Sequence, residues 1–256
     1  MTAPILQAQD VSKSFGGLQA VHNVNLVCHT GQVHAVIGPN GAGKTTLINL
    51  LSGDLLPSSG RILFKDQDIT PLPAHRVSRL GIGRSYQRTN IFSEFSCWQN
   101  CWLAGQSRER SSLRFFKPAG AIQAVRDRTE RALATTGLED RADVPAMDIS
   151  YGEQRQLEIA MLLAMEPEVL LLDEPLAGMG VEESAAVVGL IQRLAASHCV
   201  VLIEHDMDAV FAVADVLTVM VDGNILESGP PEAIRDSRRV RDAYLGDEQL
   251  PEGGVS

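Results

Sequence analysis

Apolar residues recur along this chain with two different periods, and the change from one to the other divides it into strands and helices. His34-Ala-Val-Ile-Gly38 is a short apolar run that leads into a glycine-rich loop, and Gly60-Arg-Ile-Leu-Phe-Lys-Asp-Gln-Asp-Ile-Thr70 alternates apolar and polar residues between turn signals. Both are strand patterns. Thr45-Thr-Leu-Ile-Asn-Leu-Leu-Ser-Gly53 has helical spacing and stops at a glycine. Strand, glycine loop, helix is the opening of an α/β unit. From about Asn90 to Met147 the pattern turns mainly helical, with Ile122, Val125, Thr129 and Leu133 on one stripe. The α/β grammar then returns: a helix after Tyr151 with Leu157, Ala160, Met161 and Ala164 as its apolar face, the strand Val169-Leu-Leu-Leu-Asp173, a helix carrying Val187, Leu190, Ile191 and Leu194, and a strand pattern running from Val200 to Asp206. Short all-apolar strands alternating with helices predict a mainly parallel sheet covered on both faces. Val216 to Gly229 places Asp222-Gly223-Asn224 between two apolar runs, a hairpin signal. The expected organisation is one α/β domain over 1–250. Its core is 1–88 and 148–246, with an antiparallel β part and a helical insert at about 89–147; 247–256 is a loose tail. There is no internal repeat.

With 256 residues, 45% of them hydrophobic, the chain can bury a sizeable core. Its formal net charge of −10 disfavours a nucleic-acid partner, because phosphate-backbone binding relies on lysine and arginine. No signal-peptide pattern opens the chain and no run approaches the roughly 18 apolar residues of a spanning helix, so a cytoplasmic location is expected. Cys28, Cys97, Cys101 and Cys199 show no paired framework. Cys97 and Cys101 share a helix face, but no nearby His or Cys completes a zinc set, so packing beside Trp98 and Trp102 is the expected role.

The candidate chemistry begins with Gly38-Pro39-Asn40-Gly41-Ala42-Gly43-Lys44-Thr45, followed by Thr46. It matches G-x-x-x-x-G-K-[ST] in full, after a strand and before a helix. Backbone N–H groups of such a loop converge on phosphates, Lys44 reaches the terminal ones, and the Thr45 hydroxyl can bind Mg²⁺. Asp173 and Glu174 stand at the carboxyl end of a buried strand, where open α/β sheets bind ligands. Asp173 is expected in the Mg²⁺ shell and Glu174 as the general base for the attacking water. His205 follows the next strand, falls on the same edge, and is placed to touch a γ-phosphate.

A second anion-seeking edge lies at Ser150-Tyr-Gly152-Glu153. Ser150 and Glu153 form a capping box, and Gly152 at the front turn permits close approach of a ligand. Since the first loop satisfies its own nucleotide, the second edge points to a nucleotide held by another copy, hence a composite site at a dimer interface.

These motifs together resemble the ATP-binding subunit of ABC transporters over almost the whole chain. The phosphate loop looks like Walker A, Gly83-Arg-Ser-Tyr-Gln87 like the Q-loop, Ile149 to Gln154 like the signature, Val169 to Pro175 like Walker B, Ala177-Gly-Met-Gly180 like the D-loop and Glu204-His-Asp206 like the switch segment. The resemblance implies ATP and Mg²⁺ as cofactors, with Gln87 in the catalytic and metal shell, Phe15 stacked on adenine, and Ser150, Gly152 and Glu153 meeting the ATP of a second ATP-binding subunit, identical or paralogous. It also implies membrane permease subunits, an extracytoplasmic substrate-binding protein, and a peripheral place on the cytoplasmic face of the inner membrane. Ile149, Tyr151 and Glu153 depart from the commonest signature, and Gly180 stands where the D-loop usually has Asp. Phe15 to Val21, Asn90-Ile-Phe92, Ser150 to Ala160 and Tyr244-Leu-Gly-Asp-Glu248 look most like the branched-chain amino acid importer group, with urea and amide importers as relatives. In that reading Phe92, Phe95, Trp98 and Trp102 form or back the groove for a permease helix. A soluble ABC-type ATPase acting on DNA or ribosomes and a small-molecule P-loop kinase are the alternatives. Acidity disfavours the first, and the second leaves the signature and His205 without work.

Overall fold

The computed structural model describes residues 3–86, 90–108 and 123–244. Gln87, Ile122 and the expected tail at 247–256 lie outside the described residues. Strands β1 (Pro4–Phe15), β2 (Leu18–His29), β4 (Ser59–Phe64) and β5 (Gln67–Asp68) make an antiparallel sheet in the order β2-β1-β4-β5. A six-stranded sheet holds β3 (Gln32–Ile37), β6 (Ile82–Arg84), β7 (Val169–Asp173), β8 (Cys199–Ile203), β9 (Val216–Val221) and β10 (Asn224–Gly229), in the order β10-β9-β3-β8-β7-β6. Only the β9–β10 pairing in it is antiparallel. The helices are α1 (Lys44–Leu51), α2 (Ala74–Leu80), α3 (Cys97–Gln106), α4 (Gln123–Thr136), α5 (Tyr151–Ala164), α6 (Val181–Ala195), α7 (Met207–Val213), α8 (Pro231–Asp236) and α9 (Arg238–Tyr244).

The two sheets differ in pattern because they differ in what covers them. From Val24 to Cys28 of β2 the buried residues alternate, Val24, Leu26 and Cys28, as one-sided packing requires. Every residue of β7 and β8 is buried, because the parallel sheet is covered on both faces. One core lies between the sheets and includes α1; a second packs α6 onto the opposite face through Val187, Leu190, Ile191 and Leu194, and α7 through Ala209, Val210 and Val213. A third core joins α3, α4 and α5, with Cys97 and Cys101 fully buried in it.

Strand β8 stops at Ile203, short of the expected Asp206. Glu204 leaves the ladder, and its side chain accepts from the backbone N–H groups of Leu176 at 2.8 Å and His205 at 3.1 Å. The β9–β10 hairpin turns at Asp222 and Gly223, both at positive φ (47° and 78°), which matches the right-handed twist of its strands. Gly223 N donates to Ala42 O at 3.1 Å, so the hairpin buttresses the phosphate loop.

The fold also builds a polar chain that the apolar look of β3 conceals. Cys28 Sγ lies 3.6 Å from His34 Nδ1, His34 Nε2 lies 2.7 Å from Thr218 Oγ1, and Thr218 Oγ1 lies 2.7 Å from Ser228 Oγ. Cys28 also meets Cys199, and both remain free thiols. Burial pushes the His34 pKa from 6.5 down to about 4. The folded state therefore resists a proton that the unfolded chain accepts below 6.5. Stability from this residue is complete above pH 6.5 and is lost as the pH falls toward 4. The loss amounts to about 3 kcal/mol across that window, at about 1.4 kcal/mol per unit. Urea unfolding of the His34→Gln variant is expected to fall less steeply than wild type between pH 6.5 and 4; parallel curves would assign the acid sensitivity elsewhere.

Candidate functional site

The phosphate loop leaves the end of β3 and is pressed against backbone at both ends. A Cβ on Gly38 would stand 2.1 Å from Met220 O, and one on Gly43 would stand 2.3 Å from Ala20 O. Gly43 adopts the left-handed conformation (φ 98°) and caps α1 without a side-chain hydrogen bond. The first N–H groups of α1 therefore face the loop and are available to an anion. Asn40, Gly41 and Thr45 are exposed, Pro39 and Thr46 are half-buried, and Ala42 is buried. Lys44 is only 9% exposed, and its Nζ donates to Gly38 O at 2.6 Å and to Pro39 O at 3.0 Å. Burial lowers the Lys44 pKa, and the charges of Glu174 and Asp173 oppose that shift.

That electrostatic contact exists because β8 lies between β3 and β7, so three successive strands end on one edge. Asp173 is 1% exposed, and neither of its carboxylate oxygens has a hydrogen-bond partner among the described residues. Burial raises its pKa, against the pull of Arg84, whose Nη2 is 3.6 Å from Oδ2. The ion pair with Arg84 offsets part of the cost of burying this carboxylate but leaves both oxygens short of hydrogen-bond donors, and such a donor-poor oxygen set fits a hard divalent ion. Glu174 holds φ at 49°, rare for a residue with a Cβ, and its N–H donates to Ile203 O at 2.9 Å. Strain of this kind concentrates at functional sites. His205 is exposed at the same edge, with Nδ1 3.8 Å from Glu204 Oε2.

Arg84 is the residue that sequence reasoning passed over, although it stands inside the quoted Q-loop stretch. It donates to Asp54 Oδ2 at 2.6 Å and to Ser52 Oγ at 2.9 Å, and it stacks over the Tyr86 ring at 4.7 Å. The available signal was an arginine ending an apolar strand. Only the β6–β7 pairing, Arg84 opposite Leu171, shows that Asp173 is its neighbour.

The second edge forms as the capping box requires. Ser150 Oγ accepts from Glu153 N at 3.2 Å, and Glu153 Oε2 accepts from Ser150 N at 2.8 Å. Glu153 Oε1 accepts from Arg141 Nε at 3.1 Å. Glu153 thus fixes Ser150 at the front of the helix, with one oxygen on the Ser150 N–H and the other on Arg141. Among the described residues, no hydrogen bond or ion pair joins Ser150, Gly152 or Glu153 to the phosphate loop. One turn on, the buried pair Arg155–Glu158 (2.8 Å) holds the backbone on both sides of residues 87–89: Arg155 Nη1 donates to Tyr86 O at 3.2 Å, and Glu158 Oε1 accepts from Asn90 N at 2.8 Å. Phe15 ends β1 with 48% of its surface exposed, and Lys13 Nζ lies 5.2 Å from its ring centre.

The profile of the ABC transporter family matches residues 21–177, and that of the branched-chain amino acid ATP-binding cassette transporter matches residues 225–249. The chain is 37% identical over 254 residues to the high-affinity branched-chain amino acid transport ATP-binding protein LivG of Escherichia coli, covering 96% of this chain and 100% of that one. It is 38% identical, with the same coverage, to the corresponding protein BraF of Pseudomonas aeruginosa. An ATP-binding cassette of an ABC transporter solved in its ADP conformation superposes with a TM-score of 0.86 at 28% identity, covering 96% of this chain and 100% of that one. Matched from end to end in sequence and in fold, this chain belongs to the ABC transporter family, as one of its ATP-binding subunits.

Proposed function

We propose that this subunit hydrolyses ATP to power import of branched-chain amino acids, working as a pair with a second ATP-binding subunit against membrane permeases. The observation that carries the hydrolytic assignment is the edge where buried Asp173 and strained Glu174 face Lys44. Backbone N–H groups of the loop from Gly38 to Thr46 hold the phosphates, Lys44 reaches the terminal ones, and Phe15 stacks on the base. Thr45, Asp173 and Gln87 are the residues that would hold Mg²⁺, which when bound neutralises charge building on the phosphates. Glu174 takes a proton from water as that oxygen bonds to the terminal phosphorus and the bond to the ADP oxygen breaks. His205 contacts the γ-phosphate. Ser150 and Gly152 close on the partner's nucleotide.

The cargo rests on the relatives, since LivG and BraF are named for branched-chain amino acid transport. Among the described residues no helix is long and apolar enough to cross a membrane. Docking to permeases at the cytoplasmic face, with a binding protein delivering cargo from outside, supplies the path. Phe92 and Phe95 fit that contact, because they are exposed and stacked with ring centres 5.3 Å apart. Trp98 and Trp102 stack at 6.0 Å but are half-buried, so they back the surface from within. Cells lacking this chain are expected to lose uptake of labelled leucine. The wild-type chain restores it, and Phe95→Glu does not, although that variant keeps its ATPase. Leucine uptake untouched by the deletion, with urea uptake lost, would overturn the cargo.

A further inference from the structure

The front turn of α5, read from the sequence as an edge that awaits an anion, already holds one from its own chain. Glu183, in the first turn of α6, reaches across to it. Its Oε1 accepts from Ser150 Oγ at 3.2 Å and from Gly152 N at 3.1 Å, while Oε2 accepts from Gly180 N at 3.4 Å. The missing side chain of Gly152 admits this carboxylate: a Cβ there would stand 2.8 Å from Glu183 Cδ and Oε1. Capping α6 needs only the bond to Gly180 N. The two bonds to Ser150 and Gly152 belong to another helix, and they use the donors assigned above to a phosphate.

We propose that Glu183 is an internal placeholder, which occupies the Ser150–Gly152 edge in the unpaired subunit and must be displaced before a terminal phosphate of the partner's ATP can take it. Two anions cannot share one hydroxyl and one N–H, and like charges at such range repel. Glu183 is only half-buried, so it can swing into solvent when displaced. The carboxylate also tethers Gly180, at the D-loop position where the acidic residue usual in this family is absent, so its release frees the start of α6 as well. The consequence is a raised ATP threshold for pairing: subunits stay apart until both nucleotides are in place.

This inference rests on the paired arrangement proposed above, and the test separates the two. In a Glu174→Gln background, which slows turnover, the ATP concentration that half-converts the chain to dimer is read by sedimentation. Adding Glu183→Ala is expected to lower that midpoint roughly five- to tenfold. Adding Glu183→Gln, which keeps the shape and removes the charge, lowers it less. ATP affinity at protein concentrations too low to pair stays unchanged. A parent that pairs with ATP, with midpoints that do not fall in either double variant, would overturn the placeholder alone. Should Ala destabilise α6, the Gln variant still decides. A parent that never pairs would overturn the paired reading and this inference with it.

Discussion

Replacing Glu174 by Gln is expected to lower kcat for ATP hydrolysis by about 10²- to 10³-fold while leaving ATP binding within a factor of about three. The amide preserves the shape and the N–H bond to Ile203 O, so the turn after β7 keeps its form. It cannot take the proton of the attacking water. Binding survives because the phosphates are held by the loop and Lys44, whose bonds to Gly38 O and Pro39 O do not involve Glu174. The removed negative charge also relieves part of the repulsion that Glu174 exerts on Asp173. Phosphate release at saturating Mg²⁺ and ATP, set beside a nucleotide titration, checks both halves. A loss of less than tenfold would take the general-base role from Glu174.

Gly43→Ala is expected to cost about 3 kcal/mol of stability and at least tenfold in ATP affinity, through two separate effects. The left-handed backbone at φ 98° strains any residue with a Cβ, and the new methyl would meet Ala20 O at 2.3 Å, a backbone atom that moves only if β2 moves. Gly41→Ala is the matched control. It too has positive φ (81°), but nothing stands within 4 Å, so it carries the strain without the clash and costs about 1 kcal/mol. Urea midpoints and ATP titrations of the two variants compare the loop's anchoring with its flexibility. Equal effects at the two positions would mean that the contact with β2 does not hold the loop.

The parts of the site that were readable in advance are those whose chemistry and geometry are consecutive in the chain. The loop from Gly38 to Thr46 is such a part, since its turn and its helix start lie within nine residues. The capping box is another, because Ser150 and Glu153 meet by helix geometry alone. Asp173, Glu174 and His205 could be placed on one edge because parallel strands all end on the same side. The strand pattern was misread where a side chain left it: Glu204 ended β8 early by turning to Leu176 N.

The sequence by itself determined the kinds of elements, the phosphate loop and the order of the motifs, because apolar period, glycine freedom and helix capping act over a few residues. Only the tertiary structure decided that Arg84 stands against Asp173, that His34 is neutral inside a chain of hydroxyl and thiol groups, and that Glu183 covers the edge of α5. The reason is strand order and side-chain direction. Pairing β6 with β7 and β3 with β9, and starting α6 beside α5, brings together residues separated by about 30 to 180 positions, and no local period records such a meeting.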